Sequence, residues 1–120
     1  MKNLIILALI VAAGYYGWQK LTYEEMLYRA EFPESGQCVI VYGTRKCEWT
    51  RKYLVNLNEE GVVTVFQDMK RKKVYSDILP RMKDAGIDIS HFDLPVIEVG
   101  DHIFTRPDFD TALQIYESIR

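Results

Sequence analysis

Two short runs of β-branched and aromatic residues, Cys38 to Tyr42 (CVIVY) and Val62 to Phe66 (VVTVF), bracket a single stretch of helical periodicity. This alternation constrains the fold more than any other feature of the chain. Continuous runs of this kind suit strands buried on both faces. Between them, Glu48 to Glu60 carries Trp49, Tyr53, Leu54 and Leu57 at helical spacing, and Gly61 is placed to cap that helix. Two neighbouring strands joined through a helix run parallel, with a right-handed crossover.

The remaining elements follow the same grammar. Val74 to Ala85 has Val74, Ile78, Leu79, Met82 and Ala85 on one helical face and ends at Gly86. Pro80 interrupts it, so the helix either kinks there or starts close before it. Pro95 to Val99 reads as a third strand, and Gly100-Asp101 turns it into a fourth, His102 to Phe104. Pro107 is suited to the first position of a last helix, whose apolar face is Phe109, Ala112, Leu113, Tyr116 and Ile119. The order β-α-β-α-β-β-α predicts an α/β domain with a four-stranded mixed sheet and helices on both faces.

Composition bounds the rest. The 120 residues, 48% apolar and 27% charged, suffice for one small folded domain. Two cysteines cannot form a disulfide scaffold, so packing must hold the core. A formal net charge of −2 gives no footprint for nucleic acid. The charge is uneven, however. Arg45 to Lys52 has four basic residues against Glu48, Lys70 to Lys73 is basic throughout, and Gly86 to Arg120 has seven acids and two basics. One end of the domain is expected to attract anions.

Upstream, Asn3 to Gln19 is uncharged and Leu4 to Ala13 is wholly apolar, with Tyr15, Tyr16 and Trp18 just before Lys20. As a helix this run is about 25 Å long. Three readings compete: an uncleaved membrane anchor, a signal peptide with Val11 and Ala13 as its small-residue site, and a buried helix of the domain. The aromatic belt favours the anchor. Residues 1–21 are therefore expected to be an anchor or signal segment. Residues 22–36 are expected to be a helical stalk and linker that breaks at Pro33-Glu34-Ser35-Gly36, and residues 37–120 the folded domain. Lys2 and the terminal amine favour an N-terminus in the cytoplasm and a domain on the extracytoplasmic (periplasmic) side; Lys20 beyond the run weakens that bias towards the cytoplasmic face.

Cys47 stands five residues past the first strand, where the first helix of the domain begins. Free backbone N–H groups and the positive end of the helix dipole favour a thiolate there. Arg45, Lys46, Arg51 and Lys52 add positive charge, and Thr50, one turn on, places a hydroxyl near the sulfur. The residues alone leave two readings: a reactive thiol, or an idle cysteine at a helix start. Cys38, inside the first strand, reads as a buried free thiol that is too distant along an extended chain to pair with Cys47. His91 and His102 lack metal-ligand spacing with the cysteines, so no metal is expected. Trp49 belongs either to the rim of the site or beneath the helix. The Lys70–Lys73 run reads as a solvated loop or helix start, or as a contact for anionic lipid headgroups.

The segment Val39-Ile40-Val41-Tyr42-Gly43-Thr44-Arg45-Lys46-Cys47-Glu48-Trp49-Thr50, with Leu94-Pro95-Val96 much later, resembles the glutaredoxins of the thioredoxin-like superfamily. The resemblance covers about Cys38 to Ile119, with the same element order, and Phe104 to Asp108 looks more like the redoxins that reduce ribonucleotide reductase. It implies Cys47 as nucleophile, and Pro95 as a cis-proline beside which the Leu94 backbone meets a bound peptide or glutathione. Thr50 occupies the place of the second cysteine of Cys-x-x-Cys, which implies monothiol chemistry through a mixed disulfide. Glu48-Trp49-Thr50 departs from the Gly-Phe-Ser of cluster-carrying relatives. The glutathione-contacting lysine aligns with Thr44, so Arg45 or Lys46 would replace it. Asp93 stands where a threonine precedes Val-Pro, and Phe104-Thr105 stands in place of Gly-Gly. Asp108 keeps the family's acidic position at the last helix, behind Pro107, which has no N–H.

The resemblance thus implies a thiol–disulfide oxidoreductase acting on a thiol- or disulfide-bearing protein or on glutathione, and the apolar N-terminal run is expected to tether it to a membrane. The rivals are a redox-inactive thioredoxin-fold interaction module at the membrane and an iron–sulfur scaffold.

Overall fold

The structure, a computed structural model, describes residues 2–34 and 37–119, the side chains of residues 2 and 16–22 excepted. Four strands, β1 (Val39–Gly43), β2 (Thr64–Asp68), β3 (Val96–Val99) and β4 (His102–Thr105), are joined and flanked by four helices. These are α1 (Lys2–Leu27), α2 (Glu48–Glu59), α3 (Lys72–Asp84) and α4 (Phe109–Ile119). The sheet has the order β2-β1-β3-β4. β1 runs parallel to β2 and antiparallel to β3, and β3 is antiparallel to β4.

The two-residue period of the strands divides the core. Val39, Val41, Ile97 and Val99 belong to a cluster completed by Leu54 and Leu57 of α2 and Ala112 and Tyr116 of α4. Tyr42 and Val96, with Ile40 beside them, pack against Ile78 and Met82 of α3 on the opposite face. The register Ile40↔Glu98 sets a carboxylate among them. Its charge is satisfied there: the Tyr42 hydroxyl donates to Glu98 Oε1 at 2.9 Å, and Arg81 pairs with Oε2.

Both helices that cross between strands end in the same way. At α2, Gly61 N–H donates to the Asn58 carbonyl and Val62 N–H to that of Leu57; at α3, Gly86 donates to Lys83 and Ile87 to Met82. Gly61 and Gly86 have φ of 73° and 85°, the left-handed region that such a termination needs. The first termination explains a difference from expectation. Val62 caps α2 and drops its side chain into the core, so β2 starts at Thr64 rather than at Val62. α3 begins at Lys72 and runs through Pro80, so the expectation of a start near the proline is corrected. The exposed Lys70–Lys73 run straddles that helix start. Pro107 is likewise not the first residue of α4. The first turn closes on the Asp108 carbonyl, which accepts from Thr111 and Ala112, so Asp108 caps the helix and Pro107 precedes it.

Residues 2–27 form one continuous helix. Leu4, Ile5, Ile6, Leu7, Leu9, Ile10 and Val11 are 57–71% exposed, which rules out a helix buried in the domain. Among the described residues no helix is long and apolar enough to cross a membrane. Of the aromatic belt, Tyr15 is exposed, whereas the side chains of Tyr16, Trp18 and Lys20 lie outside the described residues, as do Ser35 and Gly36 of the expected break. The stretch expected to be a stalk joins the domain at its end. Leu27 and Tyr28 are buried in the core, Tyr28 meets Phe66 edge to face at 4.9 Å, and the Arg29 carbonyl accepts from Phe66 N–H at 2.8 Å. Apolar surface and a free β2 edge draw these residues onto the sheet.

Candidate functional site at Cys47

β1 delivers the chain to the site through Gly43, whose carbonyl accepts from Met69 N–H at 2.8 Å. Thr44 to Lys46 then turn, closed by Cys47 N–H on the Thr44 carbonyl at 3.2 Å, and α2 starts. Cys47 is the N-cap, with φ −79° and ψ 118°, and its carbonyl accepts from Arg51 N–H. A cap residue in extended conformation aims its side chain at the free N–H groups of the first turn. Here that side chain is a half-buried free thiol.

The forces on the sulfur oppose one another. Burial alone would push its pKa up. The Thr50 hydroxyl, the backbone N–H groups of Thr50 and Trp49, and the Arg106 guanidinium outweigh it, so the pKa lies below the ordinary 9.0. Thr50 is fully buried, and its Oγ1 has no hydrogen-bond partner of ordinary geometry among the described residues. A neutral thiol is a poor acceptor and a thiolate a good one, so ionisation satisfies a hydroxyl that is otherwise an orphan. Thr50→Val is therefore expected to slow alkylation of Cys47 at pH 7 about fivefold, the factor set by one hydrogen bond of about 1 kcal/mol. Iodoacetamide rates across pH measure it.

The other expected site residues divide into two groups. Pro95 is buried, and its peptide bond with the half-buried Leu94 is cis. Arg106 N–H donates to the Pro95 carbonyl and Arg106 Nε to that of Leu94, both at 2.8 Å. Arg106 is thereby fixed to the 94–95 loop, and its positive charge favours the Cys47 thiolate. Asp108 is exposed at the start of α4. It and Arg106 both act on Tyr53 of α2, whose pKa is raised chiefly by burial, then by Asp108, with Arg106 opposing. Arg45 lies over the Tyr28 ring at 4.9 Å, and Lys46 is exposed.

Trp49 is 45% exposed, which puts it on the rim rather than beneath α2. Lys52 Nζ lies 5.1 Å from its ring and Arg106 Cζ 4.9 Å. Sequence reasoning gave Arg106 no role beyond its place in the Phe104–Asp108 segment, attending to Pro107 and Asp108 after it. Cys38 precedes β1 by one residue and is half-buried, not inside the strand as expected, and burial raises its pKa. Among the described residues no three His, Cys, Asp or Glu side chains gather as metal ligands.

A parallel β1–α2–β2 unit, an antiparallel β3–β4 hairpin, a cis-proline before β3 and a cysteine capping α2 define a thioredoxin-like fold of the glutaredoxin type. The solved glutaredoxin from Archaeoglobus fulgidus is similar to it, with a TM-score of 0.51 over 66% of this chain and 85% of that one, at 16% sequence identity. No protein-family model matches the sequence, and no curated protein matches it.

Proposed function

We propose that the protein is a glutaredoxin-like thiol–disulfide oxidoreductase that works through Cys47 as its single nucleophile. The observation carrying this reading is the Cys47–Thr50 arrangement: a helix-capping thiol with a lowered pKa, favoured as thiolate by the fully buried Thr50 hydroxyl, which has no other hydrogen-bond partner among the described residues. The Cys47 thiolate attacks one sulfur of a substrate R–S–S–R′. The Cys47–S–S–R bond forms as the substrate disulfide breaks, and R′–S⁻ leaves with the electron pair. Thr50 offers no second thiol to close an internal disulfide. A separate thiolate, from glutathione or a protein cysteine, therefore attacks the mixed disulfide, takes R as a new disulfide and returns Cys47 to the thiolate. Leu94, Pro95, Arg45, Lys46 and Asp108 are proposed as the peptide- or glutathione-contacting set. Incubation with a peptide mixed disulfide, followed by mass mapping, is expected to find the adduct on Cys47. An adduct confined to Cys38, or none, would sink the reading.

The same reading holds the protein at a membrane by the apolar half of α1. Seven large apolar side chains there face solvent, a contiguous patch that water disfavours. The proposed side is extracytoplasmic, on the ground that Lys2 and the terminal amine favour a cytoplasmic N-terminus; disulfides persist there and a partner thiol would resolve the mixed disulfide. The full chain is expected to float with lipid vesicles, and Ile6→Glu/Ile10→Glu to remain in the aqueous fraction. Wild-type protein left in the aqueous fraction would remove the tether. In intact cells a membrane-impermeant thiol reagent should label Cys47; labelling only after lysis would put the domain in the cytoplasm.

A further inference from the structure

We propose that Arg106 selects the substrate of Cys47 by receiving a carboxylate carried close to the disulfide under attack. This rests on the thiol-exchange reading above and names the chemistry the substrate brings. Arg106 has φ 40°, a backbone region that a long non-glycine side chain enters rarely and only where its surroundings hold it. Its N–H on the Pro95 carbonyl fixes the backbone, and its Nε on the Leu94 carbonyl fixes the head of the side chain. Trp49 lies against the guanidinium plane at 4.9 Å. Held at these three points, the group lies over Trp49, two residues after Cys47 in the first turn of α2.

This posture leaves most of the guanidinium unused. One of its five N–H donors is spent on Leu94, and no described residue accepts from the terminal nitrogens. No described carboxylate pairs with Arg106 or with Lys52, which shares the same exposed indole. Two like charges on one ring repel, and an anion seated between them removes that repulsion. A rigid fork of donors matches a carboxylate in two parallel hydrogen bonds, which a lysine cannot do. The Leu94 carbonyl already accepts from Arg106. A peptide docking there meets the unspent guanidinium donors beside it, which favour an acceptor on the peptide.

The test uses two peptides, identical except for a C-terminal carboxylate or amide two residues after cysteine, each linked as a mixed disulfide to neutral thiopyridine. Release of thiopyridone reports attack by the full chain. Wild-type protein is expected to favour the carboxylate about tenfold, Arg106→Gln to lose the preference, and Arg106→Lys to keep part of it. Comparing two substrates within each variant cancels any change in thiolate population. Equal rates in wild type, or an unchanged ratio in Arg106→Gln, would overturn the proposal and leave thiol exchange standing. A second measurement follows Trp49 fluorescence in a full-length Trp18→Phe background, titrated with the same peptides carrying serine for cysteine. If neither disulfide reacts, the exchange reading fails. Arg106-dependent preference for the carboxylate in this titration would still support the site, and equal response to both peptides would overturn it.

Discussion

Cys47→Ser is expected to abolish thiol transfer, while Cys38→Ser retains nearly all of it and lowers stability slightly. The two thiols differ in kind. Cys47 caps α2, and the Thr50 hydroxyl, two backbone N–H groups and Arg106 overcome the burial that works against its thiolate; at Cys38 burial acts alone and raises the pKa. A serine at 47 keeps the cap and removes the nucleophile, so unfolding midpoints near neutral pH should move little. The pH dependence adds a check. A thiol whose folded pKa is depressed stabilises the fold fully above its unfolded value near 9.0. That contribution is lost as pH falls through the folded pKa. Cys47→Ser should flatten this rise of stability with pH. Equal loss of transfer from both substitutions would refute the assignment.

Gly43→Ala is expected to destabilise the domain by about 2–3 kcal/mol, the upper part of the range for overpacking a filled site. A Cβ at Gly43 would stand 2.2 Å from Thr50 Oγ1 and 2.7 Å from Thr50 Cγ2. Both atoms are enclosed, so Thr50 must leave its rotamer or β1 must shift. Adding Thr50→Ala removes the two closest atoms and leaves its Cβ at 3.0 Å, so the double variant should recover part of the lost stability. Destabilisations that fail to add in this sense identify direct contact. Urea unfolding measures both. The same substitution should slow alkylation of Cys47, because a displaced Thr50 no longer faces the sulfur. Additive losses with an unchanged alkylation rate would show that Gly43 does not set the position of Thr50.

Local chemistry made much of this architecture readable from the chain. The β-branched runs give β1 and β2, Gly61 and Gly86 give the ends of α2 and α3, and the helix start after Gly43 gives Cys47 and Thr50 their places. Failures came where a residue serves two structures at once. Val62 has strand chemistry, yet the termination of α2 claims it before β2 can. Leu27 and Tyr28 lie in a charged, weakly amphipathic stretch, and only the open edge of β2 explains why they fold inward. Arg106 was invisible for another reason: its posture depends on carbonyls twelve and eleven residues earlier, joined to it only when β3 and β4 pair. A charged residue before a proline carries no local sign of that. Trp49, ambiguous on the helix, was decided by the two cations on its ring.

The docking of Arg29 and Tyr28 against Phe66 also bears on solubility. Edge strands aggregate when their unpaired amide groups and apolar side chains are left for another molecule to complete. On β2 the Phe66 N–H already has its acceptor, and the ring beside it is shielded by Tyr28. A chain trimmed to begin at residue 37 would lose both at once, opening an edge flanked by an uncovered aromatic. The segment between the apolar arm and β1 thus guards the sheet against other copies of itself.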